Sequence, residues 1–195
     1  MCAIEVSPVV STERLVLRGA VRNDAKRLTE LANDINVAGR TTSMPHPYRE
    51  ADAEALVDRS MTCDWVRDAI FVIEHHAFGV VGLLDFDHAR GARAEIGYFL
   101  GRRYWNRGYA TEAVAAMVAH GFARMNLHAV HAAAEADNAA SIRVQEKLGF
   151  ASLRVDKREA VNRGAVVTLA VRRLEASAGR AAHPIAQGAK KFILD

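Results

Sequence analysis

The sequence predicts a single α/β domain built on a mixed, mostly antiparallel seven-stranded sheet with helices on both faces. Three observations carry this. At 195 residues, half of them hydrophobic, the chain is long enough for one sizeable core and short for two. Two apolar runs, "AIFVIEH" and "GVVGLLDFD", are separated by the short His76 to Gly79 link, and a third strand-like run, "RAEIGYFL", follows the turn "HARGA". That succession reads as an antiparallel meander. Downstream, helical and strand-like periodicities alternate, as they do in a layered α/β fold.

Taken in order, "TERLVLRGA" alternates Leu15 and Leu17 with Arg14 and Arg18, the period-two signature of a half-buried strand. Asp24 is placed to cap a helix in which Leu28, Leu31, Ala32 and Ile35 recur at helical spacing. Pro45 and Pro47 interrupt the chain before an Ala-rich helix from about Glu50 to Met61. After the meander, Val114, Met117, Val118, Phe122 and Met125 fall on one face of a helix beginning between Gly108 and Thr111. A short strand, "HAVHAAAEA", leads to a helix capped by Asn138 and closed by Gly149. The last two runs, "ASLRVDKREA" and "AVVTLAVRRLE", meet across "VNRG" as a hairpin. The domain is therefore expected over residues 11–175. Residues 176–195, rich in small and polar side chains, read as a C-terminal tail, disordered or partner-binding.

Composition narrows the function. A net charge of +3 from 26 basic and 23 acidic residues, interleaved, offers no stripe to track a phosphate backbone, so nucleic acid is not the expected partner. No stretch approaches the roughly 18 apolar residues of a membrane span, and Cys2 and Cys63 are too far apart for a CxxC pair; a cytoplasmic protein is expected. The paired histidines His75/His76 and His128/His131 do not project two imidazoles to one side as a metal site requires, and no metal is expected.

The stretch "YWNRGYATEA", Tyr104 to Ala113, carries the chemistry. A strand ending near Leu100, a turn and a helix mouth at Gly108 to Thr111 leave several main-chain N–H groups unpaired at the positive end of a helix dipole, which is an anion site. Gly108 removes a Cβ from the approach of a phosphate, Ala110 keeps the next position small, and Thr111 adds a hydroxyl. Arg107, with Arg102 or Arg103, would add charge at the rim. The nucleotide motifs GxxxxGK[ST] and GxGxxG are absent, so a nucleoside triphosphate or a dinucleotide loses its usual support.

"TERLVLR", "YWNRGYATEA" and "NAASIRVQEKLGF", in that order and at compatible spacing, together resemble the GCN5-related N-acetyltransferase (GNAT) superfamily, and within it the branch of the RimJ/RimL-type ribosomal-protein N-terminal acetyltransferases. The resemblance covers roughly Ser11 to Glu175. It implies acetyl-coenzyme A as co-substrate and a sheet splayed between its fourth and fifth strands to admit it. On that resemblance the pyrophosphate loop falls on Trp105 to Ala110, with Arg107, Gly108, Tyr109, Ala110 and Thr111 as coenzyme contacts. Strand backbone at Phe99 and Leu100 pairs with pantetheine, and Asn138 contacts the coenzyme near its sulfur. Glu95 becomes the proton acceptor for the attacking amine and Ser141 the donor to the departing thiolate; the alternative for Glu95 is a solvent-facing strand residue paired with Arg93 or a neighbouring basic group. The acceptor is expected to be a protein N-terminal α-amine, the alternative being a small-molecule amine such as an amino acid, polyamine or antibiotic. A third reading is a non-catalytic acyl-coenzyme A-binding module. Relatives often carry an acidic residue in the last strands, where this chain has "GAVVTLAVRR". A monomer or homodimer is expected.

Overall fold

A computed structural model describes residues 7–65, 68–87 and 93–176. The strands are β1 (Val10–Ser11), β2 (Leu15–Gly19), β3 (Asp68–His75), β4 (Gly79–Asp87), β5 (Arg93–Leu100), β6 (Ala129–Glu135), β7 (Ala151–Ala160) and β8 (Ala165–Glu175). The helices are α1 (Ala25–Ala32), α2 (Ile35–Ala38), α3 (Glu50–Thr62), α4 (Tyr109–Arg124) and α5 (Ala139–Lys147). All strands join one sheet in the order β1-β2-β3-β4-β5-β6-β8-β7. The seven expected strands are present, and an eighth is added at the edge, because Val10 and Ser11 pair with Leu17 and Val16.

Every pairing is antiparallel except β5 with β6, and that parallel ladder holds only Arg93, Ala94 and Glu95 against Ala129, Val130 and His131. Beyond this rung β6 continues against β8 as far as Glu135, opposite Leu169, while β5 continues against β4 as far as Leu100, opposite Gly82. The two strands therefore part in mid-sheet. Among the described residues, the main-chain groups bared where these two strands separate must find partners elsewhere.

Alternation along the strands assigns the two faces. Phe86, Ile96 and Val130 lie on the face covered by α4, whose Val114 and Met117 are fully buried; Gly121 in α4 admits the Phe86 ring, which lies 3.5 Å from where a Cβ would sit. The other face carries Glu95 and Gly97 and is bounded by α1 and α3. Ser60 of α3, wholly buried, donates to the Ile70 carbonyl at 3.0 Å and accepts from the Ala20 amide at 2.9 Å, fixing α3 to β3 and to the residue that follows β2.

Two expectations about the first helix change. Asp24 does precede α1, but its carboxylate accepts from the Val21 amide and from both terminal nitrogens of Arg18 instead of capping α1. A charged guanidinium within reach outcompetes a helix amide for a carboxylate. Ile35, expected on the buried stripe, is 56% exposed. The helix stops at Ala32, and Asp34 starts a new one by accepting from the Asn36 amide, which rotates Ile35 out of the stripe. The turn "HARGA" and the tail beyond Ala176 lie outside the described residues.

Candidate active site

The parting of β5 and β6 opens a cleft of about 550 Å³. Its walls are Ile96 to Leu100 of β5, Tyr104 to Asn106 with Gly108 to Thr111 at the mouth of α4, Ala133 of β6, and Asp137 to Ser141 with Arg143, Val144 and Lys147 along α5; Val37, Arg40 and Thr41 close one end. The structure thus brings Phe99, Leu100, Gly108, Tyr109, Ala110, Thr111, Asn138 and Ser141 around one cavity. Arg107 is exposed and is not among the lining residues. Arg102 and Arg103 line a separate surface depression with Arg27, Glu30 and Asp34.

Gly108 is the N-cap of α4, at φ 82° and ψ −3°. Only glycine adopts that left-handed conformation at little cost. Asn106 is also left-handed, at φ 59°, a conformation asparagine tolerates better than most. Two left-handed residues two apart turn the loop sharply just before the first turn of α4, where the first amides of the helix have no intrahelical partner. A residue outside the motif holds the loop: Arg14 Nη1 donates to the Arg107 carbonyl at 3.1 Å. The same arginine is anchored on Glu112 in the first turn of α4, through Nε at 2.7 Å and its own amide at 3.0 Å, and Thr12 adds its hydroxyl at 2.6 Å. The turn before β2 and the mouth of α4 are therefore one unit.

Burial alone would raise the Glu112 carboxyl, but the hydrogen bonds from Thr12 and Arg14 outweigh it and hold the group below its ordinary value. The stabilisation is then fully present above the unfolded-state value of about 4.3 and is lost as pH falls through the lower, folded-state one. Glu112→Gln is expected to cost about 1–2 kcal/mol at pH 7, a charge-assisted bond discounted because Arg14 is 41% exposed. The variant's melting temperature should fall by about 3–6 °C at neutral pH, and thermal melts should show the gap closing in acid.

Along β5 the main chain alternates sides. The Gly101 amide donates to Val81 of the loop side of β4, while the Leu100 carbonyl accepts from Trp105 Nε1 at 2.7 Å. By that alternation Phe99 directs its main chain toward β4, opposite Leu83, and Ile96, Tyr98 and Leu100 direct theirs toward the parting. Trp105, 36% exposed, takes the Leu100 carbonyl, so the Tyr98 main chain and the Leu100 amide border the cleft beyond the last β5–β6 rung.

Across the cleft, Asn138 caps α5 by accepting from the Ser141 amide at 3.2 Å. The Ser141 hydroxyl lies 3.0 Å from the Tyr98 hydroxyl, joining the two walls. Burial pushes the Tyr98 phenol up, against the smaller opposing effect of its bond to Ser141, so it is protonated at neutral pH.

Glu95 sits on the last paired rung, opposite His131 and immediately below the parting. Both its oxygens are taken by Arg158 of β7, Nη1 to Oε1 at 2.5 Å and Nη2 to Oε2 at 2.6 Å. The basic partner is thus Arg158 and not Arg93. On the neighbouring strand Asp85 stands opposite Gly97, where a Cβ would lie 2.3 Å from the Asp85 carboxylate; burial, then the charge of Asp68, push that carboxyl up to about 6. The β7–β8 hairpin closes over this face: Asn162 donates to the Ala38 and Thr41 carbonyls at 2.5 and 3.1 Å, and the Val161 amide to Thr42 at 2.9 Å. Arg40 pairs with Asp137 at 3.0 Å across the end of the cleft. The Cys63 thiol donates to the Ser60 carbonyl at the end of α3, and burial pushes it up. Among the described residues no cluster of three metal-ligating side chains occurs, and no helix is long and apolar enough to cross a membrane.

One parallel strand pair thus parts in mid-sheet and is faced by a left-handed glycine at a helix mouth. The comparisons with known proteins give the class. Residues 14–151 match the family model described as "Acetyltransferase (GNAT) domain". An uncharacterized N-acetyltransferase of Bacillus licheniformis, p20, is 34% identical over 143 residues, 71% of this chain and 80% of that one. Among solved structures, a GNAT-family acetyltransferase from Bacillus anthracis superposes with a TM-score of 0.77 at 24% identity, covering 87% of this chain and 99% of the other. RimL, described as a ribosomal L7/L12 α-N-protein acetyltransferase and solved with coenzyme A, superposes with a TM-score of 0.77 at 17% identity, covering 88% and 99%. The chain belongs to the GNAT acetyltransferase family, and it is an acetyl-coenzyme A-dependent N-acetyltransferase.

Proposed function

We propose that the acceptor is the α-amine of a peptide N-terminus. The observation that carries this is the bidentate Glu95–Arg158 pair. A carboxylate already compensated by a guanidinium offers little attraction to a cationic amine, so the acceptor that reacts is the one that arrives neutral. At pH 7 an α-amine with a pKa of about 7.7–8.0 is neutral roughly one time in ten, and a lysine side chain near 10.4 about one time in 2,500. The difference, on the order of 200-fold or more, favours α-amines before any contact is made. RimL, whose description names an α-N-protein acceptor, shares the fold.

In this reading the amides from Gly108 to Thr111 hold the coenzyme diphosphate, with Arg107 adding charge from outside. Leu100 and Phe99 belong to the strand beside the pantetheine arm, and Asn138 sets the start of α5 near the thiol. Glu95 keeps two of its roughly four lone-pair positions free of Arg158 and takes the amine proton directly or through water. Ser141 gives a proton to the departing thiolate.

A second reading, a small-molecule amine, draws on the hairpin clasp, since the bonds from Asn162 and Val161 to residues 38–42 narrow the acceptor side. One panel separates them: a peptide with a free N-terminus, the same peptide N-acetylated with one internal lysine, free amino acids and polyamines, with thiol release and product mass as readouts. The free N-terminus should exceed the lysine peptide at least 100-fold in kcat/KM, rising with pH up to about 8. Faster turnover of a polyamine or free amino acid than of any peptide would replace the first reading by the second.

A further inference from the structure

Gln145 is 1% exposed, one of three buried polar or charged residues among those described. It stands on α5 one turn beyond Ser141, on the side packed against the sheet, where helical periodicity calls for an apolar side chain. Its Nε2 donates to the Ser141 Oγ at 3.3 Å. Its Oε1 is buried without a hydrogen-bond partner among the described residues. A buried amide with an orphaned acceptor is costly, so the one bond it does make needs a reason.

A serine oxygen has two lone pairs and one proton. Tyr98 lies on one side of Ser141 Oγ at 3.0 Å and Gln145 on another at 3.3 Å. Gln145 presents only N–H groups there and can only donate. The Tyr98–Ser141 bond can run in either direction, and with the phenol as its donor Ser141 accepts twice. With both lone pairs filled, the Ser141 hydroxyl proton has one direction left, into the cleft that Ser141 lines. We infer that Gln145 is a positioning residue for the enzyme's general acid: together with Tyr98 it fixes the Ser141 O–H toward the coenzyme sulfur.

The inference rests on the reading of Ser141 as the acid and deepens it. In the step concerned the acceptor nitrogen has formed its bond to the acetyl carbon and lost a proton to Glu95. The C–S bond breaks, the electron pair stays on sulfur, and sulfur takes the Ser141 proton. The phenol proton of Tyr98 passes to the Ser141 oxygen in the same event, and the phenolate regains a proton from water as products leave. Gln145 exchanges nothing; it holds the oxygen at the centre of the relay.

The test is a double-mutant cycle of Gln145→Leu and Ser141→Ala, read as single-turnover acetyl transfer to an N-terminal peptide, with coenzyme A affinity and melting temperature measured on each variant. Leucine fills the same volume without the orphaned oxygen, so Q145L should fold and bind coenzyme A as the parent does. The expected result is a 5- to 20-fold fall in rate for Q145L, a smaller solvent deuterium effect, and less than a twofold further fall when Q145L is added to S141A. Equal falls in both backgrounds, or no fall in the parent, overturn the role of Gln145 while leaving Ser141 in place. An unchanged rate for S141A alone overturns the Ser141 reading, and this inference with it.

Discussion

Replacing Gly108 by valine is expected to raise the dissociation constant for coenzyme A about a hundredfold while leaving the fold intact. Two effects add. A left-handed conformation costs an ordinary residue about 1–2 kcal/mol and a β-branched one more, and this position sits at φ 82°. The loop would escape by rotating its amides out of the cradle, and each hydrogen bond lost to a charged phosphate removes about 1.5–3 kcal/mol. Loss of one such bond plus the strain amounts to roughly 3 kcal/mol, or two decades in affinity. Alanine separates the terms: it carries the left-handed cost with little added bulk, and the space at the Cβ is open apart from Arg14 Nη2 at 3.4 Å. Gly108→Ala should therefore weaken binding by about tenfold. Titration calorimetry reads both, with a thermal melt to confirm folding. An unaltered dissociation constant for the valine variant would remove this loop from coenzyme binding.

How much of this was legible beforehand follows from which interactions are local. Gly108, Asn138 and Gly149 announce themselves because a helix end needs a particular residue type within one or two positions, and all three sit at helix ends, Gly108 and Gly149 with positive φ. The meander and the last hairpin follow from period-two runs joined by short links. The anchoring of the loop was hidden, because Arg14 and Glu112 are 98 positions apart and each reads as an ordinary surface charge. Arg158, 63 positions from Glu95, looks the same in "RVDKREA", one charge among several. Gln145 gave a faint signal, a polar residue on the apolar stripe of "SIRVQEKLGF", which local pattern alone does not distinguish from an exposed position. The two-residue β1 was missed because a pair of residues has no period. Ile35 was misplaced because the break at Asn33 and Asp34 depends on one capping bond that competes with a continuous helical repeat.

Glu95→Gln should lower kcat by about 10²- to 10³-fold at neutral pH with little change in the affinity for acetyl-coenzyme A. Glutamine keeps the shape and can still accept from Arg158 through its one carbonyl oxygen, but its amide turns an acceptor into a donor toward the guanidinium and offers the amine no base. Because the loss is of proton transfer, it appears in kcat and not in the binding of donor or acceptor. Arg158→Ala should behave differently. It leaves Glu95 as a free carboxylate beneath the acceptor, able to turn and to draw in a cation. Turnover of α-amines should fall only about 5- to 20-fold, the cost of an unfixed base, while the KM for lysine-containing peptides should drop and selectivity between the two amines should narrow. The pair of variants thus separates two properties of one ion pair, proton acceptance on Glu95 and discrimination on Arg158. A Glu95→Gln enzyme that keeps its rate would place the base elsewhere. An Arg158→Ala enzyme that keeps its full preference would mean that the choice of acceptor is made at the clasp formed by Asn162 and Val161 and not at the carboxylate.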